Sequence, residues 1–252
     1  MLNDKGVIVA SDQNLEWLLP WWWERYSSCN SLPVVFFDLG MSLEKRAWCQ
    51  ERGEVISLSE VALEKPLSEP LSKLWPSYYG SSYFQARNAW FKKPSACFLS
   101  PFENTLWLDL DCEVLECLDG VFFYLQGDKE VAVALDSAFT VTSIKGLEKA
   151  ITAGTVCNSG VIAFKKNSLI IEKWKHLSLS ESEQYWGDDC LLSSVLADYQ
   201  QRVSYLPAHY NWRISEGLPL NAKIIHWVGE WGKSCIAKNG GLKKAIEEAK
   251  GF

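Results

Sequence analysis

An α/β architecture, a largely parallel sheet with helices packed on it, is expected from two features of the chain. One is the strand, helix, strand, helix, strand order of its opening, and the other is an apolar run in its middle that ends in two aspartates. Residues 6–10 (GVIVA) are β-branched and lead into Ser11-Asp12-Gln13-Asn14, a strand handing over to a capped helix at 15–26. A second strand is expected at 32–39 (LPVVFFDL), stopped by Gly40, then a helix at 43–52 and a third strand at 54–58. Residues 59–83 hold three prolines and mixed charge, which suits an irregular connection with a short helix. Residues 84–92 read as helix until Pro94 stops it, and 96–100 as a short packed segment.

Residues 106–115 (LWLDLDCEVL) read as a strand buried on both faces that presents Asp109 and Asp111 at its end. In an extended segment residues i and i+2 share a face, so both carboxylates leave together while Leu110 returns to the core. Further strands are expected at 130–135, ending at Asp136, and at 160–164, with helices at 168–176 and 188–199. Short strands at 203–207 and 222–227 and a charged amphipathic helix at 242–250 complete the pattern. No internal repeat or low-complexity stretch interrupts it, so one compact domain over 1–252 is expected, with halves at 1–115 and 116–252.

Composition excludes several functions. A net charge of -6 and a pI near 5.2 give no general attraction for nucleic acid, so phosphate recognition must come from a few local cations or a metal. The eight cysteines lack CxxC pairs or finger spacings and read as reduced, buried side chains. No secretory leader and no apolar run long enough to span a bilayer is apparent, so a cytoplasmic address is expected. Of thirteen tryptophans, three stand together at 21–23; that cluster suits the buried side of a first helix, or peripheral contact with a membrane or sugar rings.

The aspartate pair can share one hard cation, and ligands of open α/β sheets gather at the carboxyl ends of strands. A haloacid-dehalogenase-type phosphatase also places D-x-D after a strand. There a small residue and Thr would follow, near the start of the domain, whereas Cys112-Glu113-Val114 follow here after three strands. His226, in the run IIHWVG, reads either as a core histidine with a satisfied hydrogen bond or as a third ligand completing an Asp, Asp, His set for Mn²⁺ or Mg²⁺, with Lys233 neutralising phosphate. Asn158-Ser159-Gly160 reads as a turn, or as an amide facing a sugar hydroxyl with Gly160 permitting close approach. Asp188 and Asp189 precede a helix that needs only one acid as cap; the other is free to face a cleft, where a carboxylate steadies an oxocarbenium ion or accepts a proton.

Taken in order, A-S-D-Q-N after the first strand, W-L-D-L-D, C-N-S-G-V, W-G-D-D before a helix, and I-I-H-W-V-G with a following lysine resemble the family 8 retaining glycosyltransferases across residues 7–233. The resemblance implies a single-domain GT-A fold, a Rossmann-like mixed central sheet flanked by helices. It also implies a nucleotide-diphosphate sugar donor, most plausibly a UDP-hexose, a divalent cation (Mn²⁺ or Mg²⁺), and a hydroxyl acceptor on a glycan, glycolipid or protein. By the same resemblance, Asp12 and Asn14 hold the nucleobase and ribose, while Asp109, Asp111 and His226 are the metal ligands. Asn158 and Gly160 flank the donor sugar, Asp188 and Asp189 are the catalytic pair, and Gly229 and Lys233 form the diphosphate-binding turn. Two departures stand out: Lys233 follows Gly229 by four residues where the family commonly has three, and Asp189 replaces a glutamine. The run F-K-K-P leading to S-P-F also resembles mannosyltransferase-like relatives, which implies that Lys93 approaches the donor; its plain alternative is a solvated helix end. The rival readings are a metal-dependent phosphohydrolase and a non-catalytic sugar-nucleotide or glycan-binding module.

Overall fold

The computed structural model describes residues 4–58, 67–78, 87–136, 147–217 and 221–242. Its strands are β1 (Lys5–Ser11), β2 (Val34–Asp38), β3 (Glu54–Ser57), β4 (Asn104–Leu108), β5 (Cys112–Val114), β6 (Val131–Leu135), β7 (Cys157–Lys165), β8 (Val203–Leu206), β9 (Trp212–Arg213) and β10 (Ile224–His226). The helices are α1 (Leu18–Ser27), α2 (Leu43–Gln50), α3 (Glu69–Tyr78), α4 (Lys93–Phe98), α5 (Leu147–Ala153), α6 (Leu169–Ser180), α7 (Asp188–Leu196) and α8 (Gly229–Asn239).

Seven strands form one sheet in the order β3-β2-β1-β4-β7-β6-β8. The first four are parallel, β7 runs antiparallel to both its neighbours, and β8 is parallel to β6. Strands β1 to β4 come from residues 1–115 and β6 to β8 from 116–252, so the sheet draws on both halves of the chain. Apolar runs such as VIV and VVFF are continuous because both faces are covered. Ile8, Phe37, Trp107 and Ile162 point into one layer with α4, α6 and α7; Val7, Phe36, Leu106 and Val161 point into the other with α1. A small second sheet, β5-β10-β9, leaves the end of β4. Because β7 is reversed, its start lies at the edge where β1 and β4 end, and three strand termini meet there.

Several elements differ from the sequence reading. The run 106–115 is not one strand: β4 stops at Leu108, a turn closed by Cys112 N–H donating to the Asp109 carbonyl (3.0 Å) follows, and β5 joins the second sheet. The helical turn at 87–90 ends ahead of Pro94 as expected, but Pro94 itself sits in the first turn of a new helix, α4, where its missing N–H costs no bond and its fixed φ suits the helix. Helix α1 begins at Leu18 rather than at residue 15, after turns anchored on Asp12. Residues 59–66, 79–86 and 243–250, which bear on the proline-rich connection and the tail helix, lie outside the described residues, as do 137–146.

The tryptophan cluster is mainly core. Trp22 is fully buried and stacks on Tyr26 with ring centroids 5.0 Å apart, while the Trp21 indole N–H donates to the Gly240 carbonyl (3.0 Å). That carbonyl also accepts from Arg25 Nη2 (2.7 Å). Arg25 in turn pairs with Glu113 on β5 (3.3 Å), a wholly buried carboxylate that accepts from the Trp227 indole N–H (2.9 Å) and the Leu242 amide (2.8 Å). Gly241, at φ +86°, fits because a Cβ there would lie 2.6 Å from a Glu113 oxygen. Both ends of α8 are thereby fastened to one carboxylate.

Truncating Trp22 to alanine removes a fully buried indole and its stacking partner. It should cost about 3–5 kcal/mol in urea unfolding; a loss below about 1 kcal/mol would place the indole outside the core.

Candidate active site

The site lies at the edge where β1 and β4 end and β7 begins. Asp109 leaves β4 with its backbone N–H donating to the Gly160 carbonyl (2.8 Å), and Asp111 receives the Trp227 N–H on its carbonyl (2.9 Å). The antiparallel β5–β10 register sets His226 opposite Cys112. His226 Nε2 consequently lies 3.2 Å from Asp111 Oδ1 and 3.9 Å from Asp109 Oδ2. The acids meet through a turn and a strand pairing, not through the period of one extended strand.

The histidine tautomer follows from a chain of hydrogen bonds that begins at the backbone. Gly160 N–H donates to Asn158 Oδ1 (2.9 Å), which makes that atom oxygen; the same oxygen accepts from Asn211 Nδ2 (3.0 Å). Asn211 Oδ1 then faces His226 Nδ1 at 3.0 Å, so Nδ1 carries the proton and Nε2 is turned to the carboxylates. A neutral imidazole would place a lone pair against two carboxylates, which is favourable only with a cation between them. Gly160 is required for this placement, since a Cβ there would collide with the His226 ring. The close approach at Gly160 is therefore made by the imidazole.

Asp111, Cys112 and His226 offer ligand atoms within 4.8 Å of one another. Cys112 is the weak member: burial raises its thiol well above the usual range, and its Sγ contacts the Gly160 carbonyl (3.6 Å), so it remains a neutral thiol. Asp109, Asp111 and His226 fit a divalent ion better. Asp111 is held strongly acidic: burial opposes its ionisation, but Lys233 (2.5 Å) and His226 outweigh it.

Lys93 is buried, not a solvated helix end, although it opens α4. Its ammonium lies 2.9 Å from Asp109 Oδ1, 3.0 Å from Asp188 Oδ2 and 3.0 Å from Ser159 Oγ. Burial alone would favour loss of its proton, yet the two carboxylates more than compensate and raise its pKa. Ser159 Oγ also donates to Asp188 Oδ2 (2.7 Å), while the Trp107 indole N–H donates to Asp109 Oδ1 (2.7 Å).

Neither acid of the 188–189 pair caps α7 with its side chain; Gly187 is the N-cap residue. Asp188 is buried on Lys93 and Ser159. Asp189 is partly exposed, accepts its neighbour Cys190 N–H on Oδ1 (2.7 Å), and has its carboxyl pushed up to about 7 by burial and then by the Asp188 charge. Asp12 accepts from Asn14 N and Leu15 N on Oδ1 and from Asn14 Nδ2 on Oδ2, all at 3.0 Å. Asn14 is exposed beside it and does not line the cleft. Gly229 (φ +81°) and Lys233 sit on one helix, α8, at its first and second turns.

Two adjoining clefts share Trp90, Lys93, Asp109, Asp111 and Lys233 as a common wall. The first has apolar sides, Ala10, Leu15, Leu18 and Leu39, with Asp12 at its rim; the second is lined by Asn158, Ser159, Asp188, Asp189, His226 and Gly229. Trp90 and Asn211 were not singled out from sequence, and no motif marks them; Trp107 lay inside the W-L-D-L-D run. Ser159 lay inside the C-N-S-G-V run without being chosen.

Neither a protein-family profile nor a curated protein sequence matches the chain. Solved structures do. The galactosyltransferase LgtC, in complex with donor and acceptor sugar analogs, is matched at TM-score 0.62 and 15% identity over 98% of this chain and 96% of that one. Mouse xyloside xylosyltransferase 1 in its apo form gives TM-score 0.53 at 12% identity, over 90% and 97%. The apo glycosyltransferase GlyE of Streptococcus pneumoniae TIGR4 gives 0.57 at 18%, over 90% of this chain and 55% of GlyE. The architecture is that of the GT-A glycosyltransferases, as the sequence motifs led one to expect.

If Asp109, Asp111 and His226 together hold a divalent cation, Gly160→Ala should displace the His226 ring and weaken Mn²⁺ binding about 10- to 100-fold, with little change in circular dichroism. Unchanged Mn²⁺ affinity in calorimetric titration would remove His226 from the ligand set.

Proposed function

We propose that this protein is a metal-dependent glycosyltransferase that moves a hexose from a nucleotide-diphosphate sugar, with UDP as the nucleotide, to a hydroxyl acceptor with retention at the anomeric carbon. The observation that carries this reading is the convergence of Asp109, Asp111 and a correctly turned His226 on the wall between an apolar cleft and an acid-lined one. Two carboxylates with one imidazole suit Mn²⁺ better than the all-oxygen sets of Mg²⁺ and Ca²⁺. When bound, such an ion supplies Lewis-acid stabilisation of the charge that grows on the departing diphosphate.

The chain's own residues do the rest by position and charge. The apolar cleft over Leu15, Leu18 and Leu39 takes the nucleoside, with Asp12 at its edge and Asn14 orienting Asp12. Lys233 donates to diphosphate oxygens, and Gly229 opens the helix that carries it. Asn158 lines the cleft beneath the sugar and holds His226 through Asn211, while Gly160 makes room for the imidazole. Asp188, buried and bound on Oδ2 by Lys93 and Ser159, is a positioning residue; Asp189, partly exposed and with one oxygen not committed to Cys190, steadies the cationic sugar. The leaving phosphate accepts the acceptor proton in a front-side exchange. The acceptor is a hydroxyl of a glycan, glycolipid or protein in the cytoplasm. Among the described residues no helix is long and apolar enough to cross a membrane.

A thermal-shift comparison of nucleotide diphosphates and sugar nucleotides tests the reading, because a ligand at about 100 times its Kd adds roughly 2.7 kcal/mol of stability. UDP compounds with Mn²⁺ should stabilise the wild type selectively, and Asp111→Ala should lose at least about 100-fold in Mn²⁺-dependent UDP affinity. Undiminished affinity in that variant refutes the metal-clamp assignment; phosphate release from simple phosphoesters without base selectivity favours a phosphohydrolase.

Because the Asp189 carboxyl ionises near 7, turnover should fall as the pH drops through about 7 and the carboxylate is lost. Asp189→Asn should be slower and lack this acid limb. A constant rate ratio between the two proteins from pH 5.5 to 8.5 would show that the charge of Asp189 is not used.

A further inference from the structure

Two lysines serve the aspartate pair, and they are not equivalent. Lys93 is sealed against Asp109, Asp188 and Ser159 with 7% of its side chain exposed. Lys233 has 27% exposed, stands on the second turn of α8 on the wall of both clefts, and reaches Asp111 Oδ2 at 2.5 Å along a flexible four-carbon stem. His226 Nε2 takes the other oxygen of the same carboxylate at 3.2 Å. A divalent ion that used Asp111 would thus arrive beside an ammonium group already neutralising it. Like charges a few ångströms apart in a partly buried site repel strongly.

The backbone around Lys233 offers no easy retreat. Helix α8 is tied at its start through Trp227 and at its end through Gly240 and Leu242 to Asp111, Arg25 and Glu113. What can move is the side chain, and an ammonium leaving a carboxylate in a partly buried place requires another anion. A free Mn²⁺ ion brings none. A nucleotide diphosphate brings phosphoryl oxygens.

We propose that Lys233 is a tethered counter-ion for Asp111 that gives up its place only to a diphosphate, so that the site takes its divalent cation as the complex with the nucleotide rather than as the free ion. This rests on the glycosyltransferase reading of the site and names the form in which its donor is recognised. One ion pair, Lys233 with Asp111, is exchanged for two, the cation with Asp111 and Lys233 with a phosphoryl oxygen; no covalent bond changes. By linkage, the nucleotide must tighten cation binding by the same factor by which the cation tightens nucleotide binding.

The test is Mn²⁺ affinity, read from the electron-paramagnetic-resonance signal of the free aquo ion, with and without UDP, in the wild type, Lys233→Met and Lys233→Arg. The wild type should bind Mn²⁺ weakly alone and about tenfold or more tighter with UDP, within the usual range of coupling between sites. Lys233→Met should bind Mn²⁺ alone about tenfold tighter than the wild type, bind UDP more weakly, and lose most of the coupling; Lys233→Arg, which keeps the charge, should retain it. Damage to the site without this exchange would weaken both ligands together. If Lys233→Met binds Mn²⁺ alone no tighter than the wild type, the inference is overturned while the metal reading stands. If the wild type binds no Mn²⁺ even with UDP, both are overturned.

Discussion

The buried ammonium of Lys93 is the interaction on which the arrangement of the site depends. It joins the first turn of α4, the turn after β4, the start of β7 and the first residue of α7 through contacts to Asp109, Ser159 and Asp188. These segments are far apart in sequence, and each carries one functional group. A charge so enclosed is tolerable only when its partners are all in place. The same condition that satisfies Lys93 therefore sets the spacing between Asp109 and the acids of α7. Ser159, bonded to both Lys93 and Asp188, closes the arrangement.

Around this strut the charges do not balance. Among the described residues, Asp109, Asp111, Asp188 and Asp189 face two lysines, Lys93 and Lys233, four carboxylates against two ammonium groups. The structure distributes the excess unevenly. Asp111 is kept ionised chiefly by the Lys233 ammonium, whereas Asp189, with burial and Asp188 against it, holds its proton to higher pH. One end of the cleft consequently holds an ionised carboxylate at any physiological pH, and the other does so conditionally. An environment that separates neighbouring carboxyls in this way is common where charge develops during a reaction.

The sheet and the acid-histidine set were legible in the sequence because they depend on local signals. Continuous β-branched runs mark strands covered on both sides, and the D-x-D pair, the lone histidine at a strand end and the Asn-Ser-Gly run are unusual residue types at the ends of such strands. What was not legible depends on tertiary context. LWLDLDCEVL has the same apolar alternation whether it continues in one sheet or changes sheets at Asp109, and only pairing with β10 decides. Pro94 ends one helical turn or begins another with equal local reason. The burial of Lys93 and the role of Asn211, a single amide in a loop between short elements, depend in part on β7, more than fifty residues away from each.

The fastening of α8 has its own consequence. Trp227 and Leu242 bond to the same carboxylate, Glu113, and the carbonyl between them at Gly240 is held by Trp21 and Arg25. Fraying at either end of the helix takes a hydrogen bond from this wholly enclosed carboxylate and leaves Arg25 to hold it, so the opening of the two ends is coupled. Its amide protons are then protected from both termini inward by the Glu113 knot, where an unfastened helix would unwind gradually from its ends.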